Sequence, residues 1–157
     1  MATAIRELQR GFLSEAEIAA SASVMGLDTQ LIDDGTYFII ESNGCIAGCG
    51  GWSRRATLFG GDHSAGRNAA LLDPARDAAR VRAMYTSPDF ARRGVGRMIL
   101  ELCEAAAKAE QFTRVELAAT LAGEPLYRAC GYRPLEHFRS GTPSGVSVPL
   151  IRMGKAL

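Results

Sequence analysis

The sequence predicts a single α+β (mixed α/β) domain organised around one β-sheet. Three observations carry this reading. Short runs rich in β-branched and aromatic residues alternate with stretches of helical period. The turn signals Asp34-Gly35, Asn43-Gly44 and Ser87-Pro88-Asp89 separate them. The length of 157 residues, 47% of them apolar and 22% charged, suits one domain spanning residues 1–157. A chain of this size buries roughly two-thirds of its unfolded surface, so it needs no disulfide or metal for stability.

The elements follow in order. Ala4 to Leu8 reads as a short first strand. Ser14-Glu15-Ala16-Glu17 is a capping box, with Glu17 three residues after the cap, and opens a helix running to about Met25. Gly26 is its stop. Leu27 to Asp34 carries no clear pattern. Thr36 to Glu41 is rich in β-formers and predicts a strand. Asn43-Gly44 is a hairpin turn dipeptide, and Cys45 to Trp52 is the returning strand. The glycines of that strand imply a bulge or a close backbone approach.

Gly60 to Ala79, rich in Gly, Asn and Asp, reads as a long functional or mobile loop. Arg80 to Thr86 is the next strand. Gly94 to Glu110 is a helix, with an expected apolar stripe of Val95, Met98, Ile99, Leu102, Ala106 and Ala109. Arg97 with Glu101, and Glu104 with Lys108, are spaced for ion pairs on its wet face. Thr113 to Ala119 is a strand, and Leu121 to Ala129 a short helix ended by Gly131. Tyr132 to Phe138 and Val146 to Met153 are the last strands, with Gly141 to Gly145 between them. No repeat or linker interrupts the chain.

Bulk properties exclude several function classes. A net charge of +1 argues against a general nucleic-acid binder. No apolar run approaches the ~20 residues of a spanning helix, so no membrane partner is expected. The segment from Met1 to Gln9 lacks a signal core, and a cytoplasmic location is expected. The four cysteines contain no Cys-x-x-Cys pair and there are only two histidines, so no metal site is expected. The cysteines read as small packing residues in a reducing compartment.

The segment between the strand Arg80–Thr86 and the next helix is the most informative. Strand, glycine-rich turn and helix start aim free backbone N–H groups and the positive end of the helix at one point. A phosphate is the natural occupant. Gly94 and Gly96 allow close backbone approach, while Arg92, Arg93 and Arg97 add positive charge. A Walker loop is excluded, because Gly-x-x-x-x-Gly-Lys-Ser/Thr is absent. The dinucleotide fingerprint is excluded too, because Ile99 occupies the place of its third glycine. The turn alone fits an anion site and a solvated arginine cluster equally well.

The wider segment from Val81 to Leu100, including Ser87-Pro88-Asp89 and Arg92-Arg93-Gly94-Val95-Gly96-Arg97, resembles the central acetyl-CoA motif of the GNAT N-acetyltransferase superfamily. Further on, Leu126-Tyr127-Arg128-Ala129-Cys130-Gly131-Tyr132 resembles its second signature, Leu-Tyr-x-x-x-Gly-Phe/Tyr. The resemblance implies a single central mixed, mostly antiparallel sheet of about six to seven strands flanked by helices. It departs from the pattern at Ala91, which stands at the Gln/Arg position, and at Thr120, where an asparagine is frequent.

The resemblance also implies an activity: acetyl transfer from acetyl-CoA directly to an amine. The acceptor would be a small-molecule amine or a protein N-terminus. Met84, Tyr85 and Thr86 would pair with pantetheine through their backbone, and Arg92, Arg93, Gly94, Val95, Gly96 and Arg97 would hold the pyrophosphate. A strand N–H near Met84 would polarise the thioester carbonyl. Tyr127 is at the position of the acid that serves the leaving thiolate.

Glu116 is the candidate base, with Glu41 and His63 behind it. Trp52 and Tyr37 are candidates for the acceptor pocket wall. Cys130 is not needed for direct transfer. A non-catalytic acyl-CoA sensor on the same fold is the alternative, and a homodimer through the late strands is open.

Overall fold

The computed structural model describes residues 1–157. Three short helices come first: α1 (Ala2–Glu7), α2 (Glu15–Ser21) and α3 (Thr29–Asp33). Then come β1 (Tyr37–Ser42), β2 (Cys45–Ser53), β3 (Ala79–Thr86), α4 (Val95–Ala109), β4 (Arg114–Ala119), α5 (Glu124–Ala129), β5 (Arg133–Ser140) and β6 (Val148–Ala156). The six strands form one sheet in the order β1-β2-β3-β4-β6-β5. All neighbours are antiparallel except β3 and β4.

The expected first strand is a helix instead. Ala4 and Ile5 are buried against Tyr85, with Leu8 packed beside them. That spacing belongs to a helix face, which a run of five residues does not distinguish from a strand. The capping box of α2 forms as expected: the Glu17 amide donates to Ser14 Oγ at 3.3 Å, and the Ser14 amide to Glu17 Oε2 at 3.0 Å. The Ser14 amide, followed by Arg139, holds the Glu17 carboxyl below its usual range. The Asn43-Gly44 turn has positive φ at both residues, which suits a two-residue hairpin between β1 and β2.

Helix α4 packs on β2 and β3 and forms most of the main core with them. Its buried side is Val95, Gly96, Ile99, Leu100, Cys103 and Ala107. The face is therefore rotated from the predicted stripe, and Met98 and Leu102 are exposed at 49% and 40%. Small residues fill the side nearest the sheet, where large apolar positions give a poor guide. A Cβ at Gly50 would lie 2.7 Å from Ile99 Cγ2, so this strand and helix meet with no room for a side chain. The predicted ion pairs along α4 do not form. Glu104 takes Lys155 from β6 at 2.7 Å, and Arg97 reaches the Ala129 carbonyl at 3.4 Å.

The segment predicted as a long loop folds back on itself. Amides of Ala56, Thr57 and Leu72 donate to the carbonyls of Ala70, Asn68 and Arg54 at 2.8–2.9 Å. Its tip clasps the chain after α2: the Asp62 amide donates to the Leu27 carbonyl, and Ser64 Oγ to the Ser23 carbonyl.

Candidate functional site

The site begins where the sheet comes apart. β3 and β4 pair only at Ala79↔Val115 and Arg80↔Glu116. Beyond that base the strands diverge, so the β4-facing edge of β3 from Val81 to Thr86 has no sheet partner. Backbone polar groups left there are strong, unmet hydrogen-bonding sites. A bulge sharpens the exposure. The register of β3 on β2 passes from Gly51↔Arg82 to Cys49↔Tyr85, so Ala83 and Met84 together oppose Gly50. Ala83 sits at φ +51°, a conformation uncommon for a residue with a Cβ. Tyr37 braces it by donating its hydroxyl to the Ala83 carbonyl at 3.0 Å.

A cleft of about 690 Å³ runs from this edge to the start of α4. Met84, Tyr85 and Thr86 form one wall, and Arg92, Gly94, Val95, Gly96 and Arg97 close the end at the start of α4. α5 supplies Pro125, Leu126 and Tyr127, while α1 and the turn after it supply Ala4, Ile5, Leu8 and Gln9. The volume lies within the range of small-molecule sites.

The end of the cleft at the start of α4 presents unpaired donors. The first bond of α4 runs from the Met98 amide to the Gly94 carbonyl at 3.0 Å, so the amides of Val95, Gly96 and Arg97 have no helical acceptor. No side chain caps this end. Gly94 has φ +83°, and a Cβ there would meet nothing within 4 Å, so its open side faces space. Gly96 has a different role. A Cβ there would stand 2.6 Å from Leu126 Cδ2, so its small size seats α5 against α4. Arg92 and Arg97 line the cleft. Arg93 does not; its guanidinium lies 5.4 Å from the centre of the Phe90 ring.

Tyr127 stands across the cleft from the bulge. Its hydroxyl points to Met84 Sδ at 3.9 Å, a weak acceptor, and its ring packs edge-on to Tyr132 at 5.9 Å. Burial, with smaller pushes from Cys103 and Tyr85, raises the phenol above its ordinary range, so it stays protonated. The Tyr85 side chain leaves the cleft to hold Gly26, accepting from its amide at 2.8 Å and donating to its carbonyl at 3.1 Å.

Glu116 is not brought to this place. Its carboxylate is paired with both Arg80 and Arg152, the latter at 2.8 Å, at the base where β3 and β4 still touch. Glu41 is exposed near the β1–β2 hairpin, and His63 contacts the Ala22 carbonyl at 2.9 Å. Trp52 is core, 3% exposed. Burial pushes the Cys130 thiol up, which disfavours a nucleophilic thiolate.

A second, smaller cavity of about 90 Å³ adjoins the cleft and shares Met25, Met84, Tyr85, Thr120 and Tyr127 with it. Leu58, Phe59 and Gly60 wall it, and Arg82 is among its lining residues. No local signal in the sequence points to this chamber. Its walls come from β3, β4, β6, α5, the chain after α2 and the segment after β2.

The chain has counterparts in family and in fold among known proteins. Residues 2–132 match the Acetyltransferase (GNAT) family. No curated protein sequence matches the chain. Among solved structures, a GCN5-related N-acetyltransferase from Rhodopseudomonas palustris superposes with a TM-score of 0.71 at 18% identity, covering 99% of this chain and 84% of that one. A ribosomal-protein-alanine N-acetyltransferase from Brucella melitensis gives 0.62 at 14% identity, covering 99% and 91%. A phosphinothricin acetyltransferase from Sinorhizobium meliloti, solved with AcCoA, gives 0.59 at 19% identity, covering 98% and 75%.

Proposed function

The chain belongs to the GNAT acetyltransferase family, and from that premise we propose that it transfers the acetyl group of acetyl-CoA directly to an amine. The observation that carries the reading is the continuous path from the uncapped start of α4, past the unpaired edge of β3, to the Tyr127 hydroxyl. Pyrophosphate fits the free amides of Val95, Gly96 and Arg97, with Arg92 and Arg97 beside them. Pantetheine lies along Met84 to Thr86 in place of a partner strand. An amide at the bulge, near Met84, donates to the thioester carbonyl oxygen and favours the charge that develops there.

The N–C bond forms as the C–S bond breaks, and Tyr127 donates its hydroxyl hydrogen bond to the departing sulfur. No carboxylate lines either cavity, so the amine proton leaves through water. Free alkyl amines, with pKa near ~10.4, are almost wholly protonated at pH 7. The free cysteines suit a cytoplasmic setting.

The test is amine-dependent thiol release from acetyl-CoA over a broad amine panel. Saturable turnover with at least one amine is expected. Tight acetyl-CoA binding with no turnover on any amine would favour a sensor on the same fold.

A further inference from the structure

The smaller cavity meets the cleft at Met84, Thr120 and Tyr127, where thioester and attacking nitrogen come together in acetyl transfer. Away from that rim its wall is apolar: Val24, Leu58, Phe59, Val81, Ala118 and Leu150. Val24, Val81 and Leu150 are buried, and the Phe59 ring is held by Phe138, centre to centre at 5.6 Å. Two of the walls are tied to each other. The Asp62 amide donates to the Leu27 carbonyl at 2.8 Å, and Ser64 Oγ to the Ser23 carbonyl at 3.1 Å. This joins the segment that carries Leu58 and Phe59 to the chain that carries Val24.

Arg82 is the one charged residue in the lining. Its Nη2 is paired with Asp28, and its Nε and Nη1 are sealed from solvent. A carboxylate entering the cavity therefore finds no free guanidinium N–H. A second ammonium finds no partner either, because no Asp or Glu lines the wall. A charge taken out of water without a partner is strongly disfavoured. An apolar stem is favoured there by about fourfold for each buried methylene.

We infer that the acceptor is a small monoamine with an uncharged, apolar stem of about six non-hydrogen atoms, which the smaller cavity holds while the nitrogen stays at its rim. The inference rests on the acetyl-transfer reading above and deepens it. The size follows from the volume: about 90 Å³ holds on the order of six waters. An extended peptide or a protein N-terminus needs a longer path than this closed-in space offers. The apolar wall has a second effect. Burial beside it disfavours an ammonium and so raises the neutral, attacking fraction of the amine. This helps where no carboxylate is present to take the proton.

The experiment measures kcat/KM for acetyl-CoA thiol release with n-alkylamines from ethylamine to octylamine. 1,5-diaminopentane, 5-aminopentanoate and an amidated alanine tripeptide are compared with pentylamine. In the wild type kcat/KM should rise by about fourfold per methylene and level off near six carbons. Pentylamine should exceed both the diamine and the aminopentanoate by about 100-fold or more, the penalty of an uncompensated buried charge. Leu58→Glu puts a carboxylate on the wall. It should raise the ratio of diamine to pentylamine by about tenfold or more. Leu58 does not line the cleft, so acetyl-CoA affinity by calorimetry should stay within twofold. The wild-type series stands even where Leu58→Glu fails to fold.

A flat alkylamine series, or a diamine, aminopentanoate or tripeptide that matches pentylamine, would overturn the inference while leaving acetyl transfer intact. So would a folded Leu58→Glu with an unchanged ratio. Absence of turnover with every amine would remove the acetyl-transfer reading itself, and this inference with it.

Discussion

Replacing Tyr127 by phenylalanine separates chemistry from packing at this site. The ring stays, so its edge-on contact with Tyr132 at 5.9 Å and its place against the core are kept. What disappears is one hydroxyl whose sole partner is Met84 Sδ at 3.9 Å. A bond that long to sulfur contributes little, and removing a buried, poorly paired hydroxyl is close to neutral; stability should change by less than about 1 kcal/mol. The catalytic effect should be much larger. Loss of a positioned proton donor costs about 10- to 1,000-fold in kcat, or ~1.4–4 kcal/mol of barrier.

The assay is steady-state thiol release at saturating acetyl-CoA, with a urea titration on the same preparation. The phenol pKa is raised by burial, so the acid form persists at higher pH than in a free tyrosine. The wild-type rate should therefore show no loss from this group between pH 7 and about 10. An unchanged kcat in Tyr127→Phe, or a fall fully accounted for by unfolding, would refute the assignment.

Other consequences follow from the same geometry. Asp28→Asn should destabilise the fold by about 3–5 kcal/mol, because Arg82 and Arg67 lose their shared buried counter-charge. For a chain of this size that is a fall of ~6–20 °C in Tm by differential scanning calorimetry; a change under 2 °C would contradict it. Gly96→Ala places a methyl 2.6 Å from Leu126 Cδ2 and should cost ~1–3 kcal/mol of stability. It should also lower kcat by shifting α5 under Tyr127. Wild-type stability in that variant would show that Leu126 does not need the gap.

The β1–β2 hairpin, β3, α4 and β4 were legible because their signals are local: a turn dipeptide, runs of β-formers and a glycine turn before a helical period. The short run Ala4–Leu8 was not, since five residues carry too little period to separate α1 from a strand. The α4 face was misplaced for a different reason. Its inner side combines Val95, Ile99 and Leu100 with the small residues Gly96, Cys103 and Ala107, while the large apolar Met98 and Leu102 point partly to solvent. That Met84 to Thr86 and the start of α4 share one cleft could be read from strand, turn and helix in succession, but Glu116 could not be placed. Its neighbour Arg152 lies 36 residues away in sequence and meets it only through the β4–β6 pairing. The Arg82–Asp28 pair is separated by 54 residues and has no local signature. The folded-back segment 54–72 is likewise held by backbone bonds whose partners no side-chain pattern announces.

The central claim is that the cleft between the β3 edge and the start of α4 binds acetyl-CoA. Isothermal titration of the purified chain with acetyl-CoA at moderate ionic strength tests it most directly. Acetyl-CoA should bind at one site per chain with a Kd between about 1 μM and 1 mM, the range typical of enzyme substrates, weakened by added salt as the pyrophosphate contacts are screened. No binding heat up to millimolar acetyl-CoA, with the protein folded, would contradict it.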